Sequence, residues 1–214
     1  MIDVLPVREA YRLWAPSYER ENVLTALDEE AVARLSPPAT RLLDAACGTG
    51  RRMPARGAVG VDLVVEMLVQ GARKRVAAGD LEALPVRPGS VDVIWCRLAA
   101  GHLESLDALL REAARALAPG GALVVTDFHS RAVERGLTRT FKDGSGRLRA
   151  VEHVVHTEAA HRAAARRAGL TVDTVLELAV GESVRSYFDD PAHYDELLGL
   201  PVLLALRLRK EKTR

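Results

Sequence analysis

The sequence predicts an α/β protein built on a doubly wound, mostly parallel sheet of about seven strands, with helices on both faces and an N-terminal helical cap. Three observations predict it. Short apolar runs that end near Asp44, Asp62 and Asp80 alternate with segments of helical spacing, and that alternation lays helices over both faces of a parallel sheet. The first run is followed by the small-residue turn Cys47-Gly48-Thr49-Gly50, which lets a ligand come close to the backbone. A chain of 214 residues, 48% hydrophobic, can bury roughly 70% of its unfolded surface and needs neither disulfides nor a metal to fold.

In chain order, residues 1–36 read as a helical cap, with Val23, Leu24, Leu27, Val32 and Leu35 at helical spacing and Pro37-Pro38 as the stop. Arg41–Ala46 is a buried strand. Ala58–Asp62 is a second strand, Glu66–Arg75 a helix, Arg75–Gly79 a third strand and Val91–Cys96 a fourth. Leu103–Leu117 carries Leu106, Leu109, Leu110, Ala113, Ala114 and Leu117 on one face. Pro119-Gly120-Gly121 ends that helix, and Ala122–Phe128 is the fifth strand. Residues 131–157 read as an inserted hairpin or lid, because Asp143-Gly144-Ser145-Gly146 is a turn signal between two strand-like stretches. Glu158–Ala168 is a helix capped by Gly169, and Leu170–Val180 and Val202–Arg209 are the last strands. With no linker or repeat, the whole of 1–214 reads as one domain.

Thirty basic residues against 29 acidic ones leave a net charge of +1, which argues against a coat for nucleic acid or an anionic membrane. Only two cysteines, no leader-like start and no apolar run of membrane-spanning length point to a cytoplasmic protein. Twenty-six of the basic residues are arginine. Arg97, Arg139 and Arg149 could bind an acidic substrate, yet with so many arginines the sequence singles none of them out.

The ordered set Leu42-Leu43-Asp44-Ala45-Ala46-Cys47-Gly48-Thr49-Gly50, Asp62, Asp80 and Pro119-Gly120-Gly121 resembles the class I S-adenosylmethionine-dependent methyltransferases, in particular the small-molecule branch that includes the quinone C-methyltransferases. The resemblance is detailed over about 11–128. It implies a Rossmann-like fold whose last strand is antiparallel, S-adenosyl-L-methionine as cofactor, and a small-molecule O, C or N nucleophile as acceptor. By the same resemblance Asp44 and the backbone of Ala45, Ala46, Cys47 and Gly48 lie against the methionine part, and the Cys96 backbone receives its ammonium. Asp62 holds the ribose, Leu63 and Met67 pack near the adenine, and Asp80, following Gly79, accepts from the adenine amino group beside the Leu81 N–H. Tyr11, Trp14 and Tyr18 resemble the aromatic lid of the family; ordinary helix packing is the other reading of these three. The segment Cys96–His102 lacks the Asn/Asp-Pro-Pro-aromatic pattern of nucleobase and glutamine methyltransferases, and no acid cluster there suits a metal. The implied partner is therefore a small molecule, with no nucleic acid, no membrane insertion and no metal.

Two positions depart from the family pattern. Gly50 and Asp62 are 12 residues apart, where such a unit runs nearer ~20, so the connecting helix must be one turn or a loop. The first loop glycine is replaced by Ala46. For a base, His102 and His129 follow the fourth and fifth strands, at the carboxyl ends where such crevices open. His153 and His156, taken as strand residues, face opposite ways and form no metal pair; His161 and His193 read as surface residues. Three other readings stay open: a protein of this fold that binds the cofactor without transferring methyl, a nucleotide-dependent oxidoreductase on a degenerate loop, and a non-catalytic binding module.

Overall fold

The computed structural model describes residues 2–212. Its first element is a strand, β1 (Asp3–Leu5), followed by α1 (Val7–Trp14) and α2 (Val23–Leu35). Asn22 opens α2 with a reciprocal cap: its side chain accepts from the Thr25 N–H while the Thr25 hydroxyl accepts from the Asn22 N–H. Next come β2 (Leu42–Ala45), β3 (Ala58–Asp62), α3 (Val65–Gly71), β4 (Val76–Ala78) and β5 (Val91–Arg97). The chain continues through α4 (Asp107–Ala116), β6 (Leu117–Phe128), α5 (Ser130–Glu134), β7 (Thr140–Lys142) and β8 (Leu148–Val151). It finishes with α6 (Glu158–Arg167), β9 (Leu170–Ala179), α7 (Pro191–Leu197) and β10 (Pro201–Lys210).

Seven strands form the main sheet in the order β4-β3-β2-β5-β6-β10-β9. β10 runs antiparallel to both its neighbours, β6 and β9, and the other pairings of this sheet are parallel, as the resemblance implied. All four residues of β2 are buried, which is why that strand reads as a continuous apolar run. Helices α4 and α6 cover one face, where Leu109, Leu110, Ala113 and Ala165 meet Leu43, Ile94, Leu123 and Leu206. On the other face α2 lays Leu27, Ala31, Val32 and Leu35 against Val124, Phe128, Leu203 and Ala205. Each fully buried leucine contributes roughly 1.5–3 kcal/mol, an upper figure for an extended unfolded chain.

Several sequence expectations change here. The cap is not wholly helical: β1 pairs with β8 of the inserted hairpin, in the small sheet β1-β8-β7. The hairpin itself forms, with the Gly146 N–H donating to the Asp143 carbonyl across its turn. Its second strand stops at Val151, and His153 and His156 lie in the irregular segment beyond it, so their spacing on a strand decides nothing. His161 is fully buried rather than exposed. The helix expected over Leu103–Leu117 starts only at Asp107, after a 3₁₀ turn at Ala100–His102. Its end at Ala116 precedes Pro119, because a proline disfavours helical backbone in the residue before it.

The short connection from Gly50 to Asp62 carries no helix. Met53 packs instead with Leu42, Ala58 and Val93, while Val59 on β3 stays 43% exposed. Gly60 is required there, since an added Cβ would lie 2.6 Å from both Cys47 Sγ and Met53 Sδ.

Candidate functional site

The carboxyl ends of β2, β3 and β5 open into one cavity, and the turn after β2 is its floor. The Ala46 and Cys47 amides both donate to the Val61 carbonyl, at 2.8 and 3.0 Å, which folds the turn over the end of β3. Ala46, Gly48 and Gly50 have φ of +66°, +57° and +70°, so the turn needs left-handed backbone at all three, and at 46 an alanine adopts it. Asp62 ties the turn down: one carboxylate oxygen accepts the Gly48 N–H at 2.7 Å and the other the Val64 N–H at 2.8 Å. Burial pushes the Asp62 carboxyl up, and these backbone donors pull against it.

Of the residues singled out in the sequence, Tyr11, Tyr18, Ala46, Gly48, Asp62, Leu63, Met67, Gly79, Asp80, Leu81 and His102 line this cavity. Leu98, which has φ +53°, also lines it; sequence reasoning missed it, and no motif signals it. Asp80 turns its side chain back to accept the Glu82 N–H at 2.9 Å. Tyr18 reaches the turn, its ring 3.4 Å from where a Cβ on Gly48 would sit.

Asp44 and Cys47 face an adjoining recess together with Arg51, Arg52 and Arg97. Burial pushes the Asp44 carboxyl up to about 7, with Arg97 opposing and the Asp28 and Asp62 charges adding to the rise. Its Oδ1 has no partner among the described residues, nor have Nε and Nη2 of Arg51. Arg97 is committed elsewhere, hydrogen-bonded to Asp28 at 2.6 Å and to Glu29 at 2.7 Å.

Four expected positions lie off the cavity wall. Cys96 and Ala45 are fully buried and register against each other inside the sheet; the residue that reaches the cavity is Arg97. Burial pushes both cysteine thiols up, so neither is a ready nucleophile. Trp14 stacks on Phe141, with ring centroids 5.0 Å apart, and lines a second pocket. His129 caps α5, its Nδ1 accepting the Arg131 N–H at 3.1 Å, and its Nε2 is 3.2 Å from Glu177. Both of its ring nitrogens are thus engaged in a separate depression, away from His102.

His102 belongs to a hydrogen-bond network that no sequence motif signals. Its Nδ1 is 3.1 Å from the Glu152 carbonyl, which accepts, so Nδ1 carries the proton and Nε2 is the acceptor. The Tyr11 hydroxyl, at 2.8 Å, donates to Nε2. Arg139 donates to the same Nε2 at 3.1 Å, to the Tyr11 oxygen at 3.0 Å and to the Leu98 carbonyl at 2.5 Å. Burial, aided by the Arg139 charge, pushes the His102 imidazole down to about 3. Behind it His153 Nε2 is 3.0 Å from Asp127 Oδ1. Burial raises the Asp127 carboxyl, but His153, the Arg139 charge and the Phe128 N–H together outweigh it and the net shift is downward. Gly101 makes room for this pair, since a Cβ there would fall 2.1 Å from His153 Nε2.

Residues 43–125, which build most of this cavity, match the family described as a methyltransferase domain. By that match residues 43–125 form a methyltransferase domain. Solved structures of this fold include S-adenosylmethionine-dependent methyltransferases. The malonyl-[acyl-carrier protein] O-methyltransferase of Enterobacter lignolyticus is 32% identical over 136 residues, covering 58% of this chain and 54% of the relative. The demethylmenaquinone methyltransferase of Mycolicibacterium gilvum is 34% identical over 128 residues, covering 53% and 56%. This chain thus spans about half the length of the curated relatives it matches. Two solved structures share the fold: an S-adenosylmethionine-dependent methyltransferase from Mesorhizobium loti (TM-score 0.67, 22% identity, 87% of this chain and 100% of that one) and a possible histamine N-methyltransferase from Thermotoga maritima (TM-score 0.71, 19% identity, 95% and 99%).

The residues present suit S-adenosylmethionine. An unpartnered buried carboxylate oxygen on Asp44 and unpartnered guanidinium nitrogens on Arg51 share one recess, complementary to an ammonium and a carboxylate. Asp62, Asp80 and the apolar Leu63, Val64 and Met67 line the neighbouring cavity.

Proposed function

We propose that this protein transfers the methyl group of S-adenosylmethionine to an O, C or N nucleophile of a small molecule by in-line displacement, releasing S-adenosylhomocysteine. The observation that carries the reading is that the methyltransferase-domain match falls on the residues that form the turn, Asp62 and the Asp80 loop. Asp44 would hold the ammonium and Arg51 the carboxylate of the amino-acid end; Asp62 would take the ribose hydroxyls and Asp80 the adenine amino group. The sulfonium supplies a methyl group that is already activated, so the chain's task is placement. Tyr11 and Tyr18 close one side of the cavity and exclude water, and His102 keeps the Tyr11 hydroxyl oriented. The relatives' names give two acceptor types, a malonyl group on a carrier protein and a demethylmenaquinone; the second is a small molecule of the kind proposed here, and the first is a small acyl group that a protein presents.

The test is calorimetric titration with S-adenosylhomocysteine, with Asp62→Asn beside the wild type and thermal melting to confirm folding. The expected outcome is micromolar binding weakened about tenfold or more in the variant, the scale of one lost charge-assisted hydrogen bond. A folded wild type that fails to bind would overturn the proposal.

A further inference from the structure

Beside the cofactor cavity lies a second cavity of about 330 Å³. Its walls are apolar for the most part, with Trp14, Leu24, Phe128, Leu137, Phe188 and Leu197 among them. Tyr18 and Leu98 line both cavities, so these two residues form the partition across which a methyl group would pass. Arg139 also lines the second cavity.

Arg139 differs from the other arginines considered for an acidic substrate. Arg97 is paired with Asp28 and Glu29, and Arg149 with Asp143 and Asp3. Arg139 makes no salt bridge among the described residues; its partners are a backbone carbonyl, a neutral imidazole and a phenol. Asp127, whose field it feels, is bound to His153 and to the Phe128 N–H. A guanidinium has five N–H donors. Both on Nη1 are used, on Leu98 and His102, and one on Nη2 is used on Tyr11. The Nε–H and the remaining Nη2–H are left, and these two form the side of the guanidinium that meets a carboxylate as a two-pronged fork.

We infer that the second cavity takes an organic acid with an apolar tail, that Arg139 grips its carboxylate through Nε and Nη2, and that this carboxylate is the methyl acceptor. The inference rests on the methyl-transfer reading above and narrows it to one acceptor class. The step balances without a base. A carboxylate oxygen attacks the methyl carbon, the S–CH₃ bond breaks, and its electron pair stays on sulfur. The products are a neutral methyl ester and a neutral thioether, and no proton moves. That agrees with an imidazole that stays neutral and has its acceptor nitrogen occupied.

The experiment titrates decanoate and its uncharged isostere decanamide into protein saturated with S-adenosylhomocysteine, using wild type, Arg139→Gln and Arg139→Lys. Methyl decanoate is then sought by mass spectrometry after incubation with S-adenosylmethionine. Wild type should bind decanoate about tenfold or more tighter than decanamide, as expected for a charge-assisted fork, and should form the ester. Arg139→Gln should lose the preference and the ester. Arg139→Lys, which keeps the charge but not the fork, should fall between. Thermal melting shows that all three fold, and each is titrated at a concentration of S-adenosylhomocysteine that saturates it, because Arg139 also holds Tyr11 of the cofactor cavity. Equal binding of acid and amide, or a preference that survives in Arg139→Gln, overturns the acid assignment while leaving the cofactor site standing. A wild type that does not bind S-adenosylhomocysteine overturns the methyl-transfer reading and the acid assignment with it.

Discussion

At position 46 the sequence and the backbone disagree. The turn needs φ of +66° there, a conformation that costs an L-residue about 1–2 kcal/mol and glycine almost nothing. The family pattern has glycine at this point, and this chain has Ala46. Ala46→Gly should therefore stabilise the protein by up to about 1 kcal/mol, once the extra freedom of glycine in the unfolded chain is subtracted. For a chain of this length that raises the melting temperature by about 2–4 °C. Binding of S-adenosylhomocysteine should be no weaker in the variant, because removing a methyl group opens the approach to the turn. A lower melting temperature would show that the alanine methyl packs against something the φ argument ignores. The rest of the turn was legible residue by residue: glycine at 48 and 50 and an acid at 62 are small-residue and charge requirements that spacing alone can carry. Arg139 was not legible. Its distinction is the absence of a carboxylate partner, and that depends on where the other acids fold.

Among the elements, α6 carries the least comfortable side chain. His161 sits on it fully buried, and neither ring nitrogen has a partner among the described residues. His156 lies against it edge-on, with centroids 6.1 Å apart. An unsatisfied buried polar group costs about 1–3 kcal/mol, so His161→Leu, similar in size and apolar, should raise the urea midpoint by an amount worth about 1–2 kcal/mol. A fall in stability would show that the imidazole is satisfied by water. The sequence misread this residue because α6 is rich in arginine and alanine and shows a weak apolar stripe; nothing in it marks the buried face. The strands of the main sheet were legible because local apolar runs specify them. Strand β1 was not, since its partner residues Arg149–Val151 lie far along the chain. No local pattern announces a pairing at that separation.

For the molecule as a whole, the buried groups set how stability depends on pH. In the folded state His102 and His161 ionise only near 3 and 4, mainly because burial disfavours their charged forms. In the unfolded chain imidazoles ionise near ~6.5. Between about pH 4.5 and 6.5 the unfolded state therefore binds up to two protons that the folded state refuses, so these groups cost stability as the pH falls. Asp44 acts the other way. Its folded value of about 7 lies above the unfolded value, again through burial first, so the folded state holds a proton that the unfolded state gives up, and stability is lost as pH rises toward 7. The net difference is about one proton. Stability should climb by roughly 1.4 kcal/mol per pH unit across that window and level off near pH 6.5–7. Asp44→Asn removes the opposing proton, and the slope should then approach about 2.7 kcal/mol per unit. Urea unfolding of wild type and Asp44→Asn from pH 4.5 to 7.5 measures both slopes. Equal slopes would mean that Asp44 is ionised throughout, already matched by the Arg97 and Arg51 charges. The same carboxyl links stability to the proposed function. A ligand ammonium favours ionised Asp44, so binding of S-adenosylhomocysteine should tighten as the pH rises from 6 to 8 and should lose that dependence in Asp44→Asn.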